Sequence, residues 1–107
     1  MINKKIMETL APLNLPIFYM ETSTDMDKYI IFNIFREKET DRFDNKNLSE
    51  VYYITLNYWY KDPADLGLYK QIKDLFKKEK FKFDNCSDLK EGQYFGKSMD
   101  FIYKKFV

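Results

Sequence analysis

The chain has 107 residues, enough for one domain (residues 1–107) that buries a core without disulfides or metal. Its 18 Lys and Arg against 17 Asp and Glu leave a net charge of +1, which excludes a bulk electrostatic pull toward nucleic acid or membrane. Ten Phe, nine Tyr and one Trp exclude a disordered chain, and the lack of histidine removes the commonest general base and metal ligand and every Ser-His or Cys-His nucleophile pair.

Residues 1–13 read as an opening helix. Ile2, Ile6, Leu10 and Leu13 recur at helical spacing, and Pro12 with Pro16 should end the helix near Ala11. The apolar-leaning run 9–20 is broken by both prolines and is too short to span a bilayer, and no signal peptide is expected at the start. Residues 17–21 form a short strand after Pro16, and 22–27 a polar turn. Residues 28–37 read as a second strand with apolar side chains on both faces, which suits an interior position in a sheet. Residues 37–48 are the longest polar stretch, with charges of both signs, and read as an extended loop.

The strongest strand signal is 50–61. Tyr52, Ile54, Leu56, Tyr58 and Tyr60 make one apolar face, while Val51, Tyr53, Thr55, Asn57 and Trp59 make a mixed one. Such a second face is either half-covered within the subunit or turned toward another one. Asp62-Pro63 then caps a helix over 64–80, with Leu68, Tyr69, Ile72, Leu75 and Phe76 as its apolar stripe. Phe81–Phe83 reads as a short strand, 84–88 as a turn cluster, 89–92 as a connector and 93–106 as the final strand, with Gly96 marking a bulge or a close backbone approach. The order α-β-β-β-α-β-β predicts an α+β domain: a mostly antiparallel sheet of about five strands with two helices packed on it.

Little in the chain points to catalysis. Cys86 is the only cysteine, sits in an Asp/Ser turn without a sequence-visible base, and is expected to be a bystander in a chain with no disulfide. The carboxylates are scattered, no spacing matches a calcium loop, and the three glycines make no phosphate loop. No enzyme activity, cofactor or metal is therefore expected. Lys70, Lys73, Lys77 and Lys80 share one side of the second helix; with only two arginines and near-zero net charge, they read as a solvated face rather than a nucleic-acid site. Tyr53 and Trp59 are the best interface candidates, against ordinary packing under the loop or the first helix.

Several stretches resemble the tail terminator (tail-completion) proteins of long-tailed bacteriophages, particularly of low-GC Gram-positive hosts. Leu13-Asn14-Leu15-Pro16-Ile17 is similar to that family's Leu-x-x-Pro-Val/Ile entry to the first strand. Asp44-Asn45-x-x-Leu48-x-Glu50-x-Tyr52 is similar to its Asp-Asn-x-x-Leu-x-Glu-x-Tyr run, and Tyr94-Phe95-Gly96-Lys97 precedes a Phe/Tyr-rich strand as in the family, with Gly96 where a His is often found. The resemblance implies a non-enzymatic virion protein of the phage tail, made in the bacterial host cytoplasm. It implies a homo-oligomeric ring, usually a hexamer, that caps the tail tube protein and meets the head–tail connector, with no membrane and no specific nucleic-acid binding. On that reading Arg42, Phe43, Asp44 and Asn45 of the loop, with Tyr53 and Trp59, are the expected contacts. The competing expectation is a small regulatory or inhibitory protein-binding module of phage origin.

Overall fold

The computed structural model describes residues 2–21, 25–40 and 49–106. Helix α1 (Ile2–Leu10) runs into a 3-10 turn (Ala11–Leu13), and strands β1 (Ile17–Tyr19), β2 (Lys28–Thr40) and β3 (Ser49–Tyr60) follow. A second 3-10 turn (Pro63–Asp65) leads to helix α2 (Leu68–Lys78), then to strands β4 (Lys82–Glu91) and β5 (Tyr94–Phe106). The five strands form one sheet in the order β1-β2-β3-β5-β4; only the β1–β2 pair is parallel. The expected α+β fold and element order hold.

The alternation read from β3 decides which side is the core. Ile54, Leu56, Tyr58 and Tyr60 are buried, together with Ile30 and Phe32 of β2 and Met99 and Phe101 of β5. Ile6 and Leu10 of α1 and Ile72 and Phe76 of α2 close over the same side. The core is aromatic where the helices meet the sheet: Phe76 lies 4.5 Å from both Phe81 and Phe101 between ring centroids, and Phe81 lies 4.7 Å from Tyr103. Each fully buried side chain of this size is worth roughly 1.5–3 kcal/mol relative to exposure, which anchors helices of only 9 and 11 residues.

Four boundaries differ from the sequence expectation. The helix expected over 64–80 is split. Asp62 does cap, its carboxylate accepting from the Ala64 N–H at 2.9 Å, but what it caps is the 3-10 turn. The Tyr58 hydroxyl donates to the Asp65 carbonyl (2.9 Å), so that carbonyl is used on the sheet, and Gly67, a poor helix former, follows. The second difference is β2, which continues to Thr40 where a loop was expected from 37, because Glu37–Thr40 pair with Ser49–Tyr52. Third, residues 84–88 are not a turn but the middle of β4. Their polarity suits the outermost strand of the sheet, and a bulge between Phe83 and Asn85 absorbs the break in alternation. Finally, β1 stops at Tyr19 rather than at residue 21: Met20 takes a left-handed φ of 70° that ends the strand, and its N–H still donates to the Phe32 carbonyl.

Candidate interaction surface

The second face of the sheet carries no helix among the described residues; Asp25 and Met26 reach it at one end, by Tyr94. The first helix lies on the opposite side, so Tyr53 and Trp59 do not pack beneath it. Strand register turns this face into cross-strand rows. The first row is Tyr29–Trp59–Gly96–Leu89, then Ile31–Asn57–Ser98–Ser87 and Asn33–Thr55–Asp100–Asn85. Next come Arg36–Tyr53–Ile102–Lys82 and Lys38–Val51–Lys104. The face is thus aromatic at one end, polar in the middle and cationic at the other.

The aromatic end is held rigidly. Trp59, Tyr94, Tyr29 and Phe18 follow one another in edge-to-face contacts, with ring centroids 6.4, 5.7 and 6.1 Å apart. Trp59 lies across Gly96: a Cβ there would come within 2.8 Å of the indole ring, so the close approach expected at this glycine is made by a side chain. Lys61 Nζ donates to Asp25 Oδ1 (2.7 Å), and the Tyr94 hydroxyl, 2.9 Å from the same oxygen, reaches the Met26 carbonyl at 2.6 Å. The Lys61 hydrogen bond, with that of Tyr94, holds the Asp25 carboxyl below its usual range; the bond to Asp25 holds Lys61 above its own.

In the polar middle the Thr55 hydroxyl donates to Asp100 Oδ1 at 2.9 Å, and Asn57 Oδ1 is buried with no hydrogen-bond partner. At the cationic end Arg36 and Lys38 stand 5.3 and 5.7 Å from the Tyr53 ring centre, and Phe35 packs beside that ring at 6.0 Å. Phe35 is 53% exposed because β2 bulges there: register passes from Ile34 to Arg36, leaving Phe35 over. A hollow of 700 Å³ at this end is lined by Val51, Ile102 and Phe106 and rimmed by Lys80, Lys82 and Lys104.

Of the sequence-picked residues, Tyr53 and Trp59 share this face but sit at opposite ends of it, three rows apart. Arg42, Phe43, Asp44 and Asn45 lie outside the described residues. Sequence reading missed Arg36, Lys38, Lys82 and Lys104, which only register brings together. Of the lysines expected on one side of the second helix, Lys73 holds its Nζ 4.1 Å and Lys77 6.0 Å from the centre of the Phe83 ring, while Lys70 and Lys80 are exposed. Cys86 is half-buried under the helices, and burial pushes its thiol up, away from reactivity at neutral pH. Among the described residues no group of three His, Cys, Asp or Glu is placed to hold a metal ion, and no helix is long and apolar enough to cross a membrane.

No protein-family model matches the chain, and no curated protein matches it.

Proposed function

We propose that the protein is a structural subunit of a phage or prophage tail. It caps the end of the tail tube as a ring of identical copies, stops tube polymerisation and prepares the junction with the head. The observation that carries this reading is the open sheet face, where aromatic, polar and cationic side chains are set out in order and meet no helix among the described residues. A face of this kind, spread over strands of 12 and 13 residues, suits lasting contact with other subunits better than a small-molecule cleft. The motif resemblance supplies the kind of assembly, and Tyr53 and Trp59 are the described residues we assign to its contacts.

The test is polymerisation of the partner tube protein with and without this chain, followed by negative-stain electron microscopy. Short tubes ending in a ring are expected. Tubes that grow unchecked, with bare ends, would sink the reading. Deleting residues 40–46, which carry most of the motif loop, should abolish capping while leaving a folded subunit; normal capping by that variant would remove the loop from the contact.

A further inference from the structure

The sheet is charged through its thickness at the end around Arg36 and Glu37. The open side gathers Arg36, Lys38, Lys82 and Lys104 around Tyr53, Val51 and Ile102. On the helix side the same stretch of β2 and β3 carries Glu37, Glu39 and Glu50, which with Tyr52 and the edge of Lys38 line a concavity of 460 Å³. Glu37 and Glu39 are exposed, and so are Arg36 and Lys38. Among the described residues none of these four, nor Glu50, is in an ion pair.

This segregation works against the subunit itself. Glu39 stands directly opposite Glu50, and like charges in that position weaken a strand pair. The bulge at Phe35 creates the opposition. In unbroken register from Ile34–Ile54, Lys38 would face Glu50 and the two could pair; the extra residue instead sends Lys38 to the open side and brings Glu39 in. Burial first, and then the charges of Glu50 and Glu37, hold the Tyr52 hydroxyl above the ordinary tyrosine range.

We propose that the cationic end of the open face docks the Glu37–Glu39–Glu50 face of a second copy of this chain. The two surfaces are opposite in charge, belong to the same strand stretch, and lie back to back, so each copy can receive one neighbour and be received by another. Such a head-to-tail contact closes into a ring when the rotation between copies divides a full turn. The exposed Phe106 and the hollow beside Val51 and Ile102 give the contact apolar area, while the charges set its orientation. This rests on the ring reading above and assigns its subunit contact.

The test is a pair of charge reversals, both at exposed positions: Arg36→Glu with Lys38→Glu, and Glu37→Lys with Glu39→Lys. Circular dichroism first checks that each variant is folded. Sedimentation velocity at low and high ionic strength should then show wild type associating and losing association with salt. Each double variant alone should associate at least about tenfold more weakly. An equimolar mixture of the two should restore association, because the all-acidic and all-basic subunits alternate. Wild type that stays monomeric at every concentration overturns the proposal, as do folded variants that associate like wild type or a mixture that fails to recover. So does loss of single-stranded oligonucleotide binding in the Arg36/Lys38 variant with association unchanged, which would assign the face to a polyanion. Tail assembly separates this from the functional reading: rings that form but do not cap tubes defeat the tail role alone, whereas monomers that cap tubes defeat only this contact.

Discussion

The two faces of β3 come from one alternating run, yet they obey different rules. On the helix side, rows such as Phe32–Leu56–Met99–Cys86 and Ile34–Ile54–Phe101–Phe83 are matched for volume, and what counts is that no space is left. On the open side the rows pass from aromatic through polar to cationic, and between the ends lies a buried Asn57 oxygen that has no hydrogen-bond partner among the described residues. The first arrangement answers to the subunit's own stability. The second sets aromatic rings and exposed charge on a face that no helix of the described residues covers.

That contrast can be broken by substitution. The largest effect belongs to the packed side: Leu56→Ala should cost about 2–5 kcal/mol in chemical denaturation, whereas Tyr53→Ala, three residues away on the open side, should cost about 1 kcal/mol. Equal losses would erase the distinction. Gly96→Ala comes next, at about 1–3 kcal/mol, because the new methyl displaces the indole of Trp59. Trp59 is the only tryptophan, so its emission should shift to longer wavelength as the ring lifts into water; an unchanged spectrum would show that the ring does not depend on the glycine.

Tyr58→Phe should cost about 1 kcal/mol by leaving the Asp65 carbonyl without its donor. The same residue sharpens a pH prediction. Burial, then the charge of Asp65 and the neighbouring Tyr60, push the Tyr58 hydroxyl far above the ordinary value of 10.0, and burial raises Tyr29, Tyr52, Tyr60 and Tyr94 as well. Above that ordinary value the unfolded chain has lost protons that the folded chain still holds. The tyrosines' contribution to stability is therefore fully present below pH 10 and is lost as pH rises beyond it, less steeply in Tyr58→Phe than in wild type. Urea midpoints across the alkaline range measure both slopes. The smallest effect should be Asp62→Ala, about 0.5–1 kcal/mol, since its cap now serves a single 3-10 turn rather than a whole helix.

What could be read from the sequence follows the same division. The packed face was legible because volume-filling leaves a period: Tyr52 to Tyr60 and Leu68 to Phe76 carry it without help from distant residues. Helix α2 begins at Leu68, four residues after its expected start at 64, because the Tyr58 hydroxyl, on another element, claims the Asp65 carbonyl. Strand β4 was legible only as far as Phe83 because Asp84-Asn85-Cys86-Ser87-Asp88 is spelled like a turn and becomes a strand only by pairing with β5. The open face was legible at Tyr53 and Trp59, within one strand. Its charge gradient was not, since Arg36, Lys82 and Lys104 become neighbours only through a register that a bulge shifts by one residue.

The outer margins of the sheet bear on how such a subunit survives before assembly. Strand β1 meets only Ile30–Phe32, leaving the rest of β2 without a strand partner on that side among the described residues, and β4 has no strand beyond it. Both margins are the kind that template aggregation, yet both are kinked by a bulge and studded with charge: Arg36 to Glu39 on one, Lys82, Asp84, Asp88, Lys90 and Glu91 on the other. Sticky backbone is thereby made a poor template, and neighbouring copies of the chain are kept from zipping edge to edge into fibres.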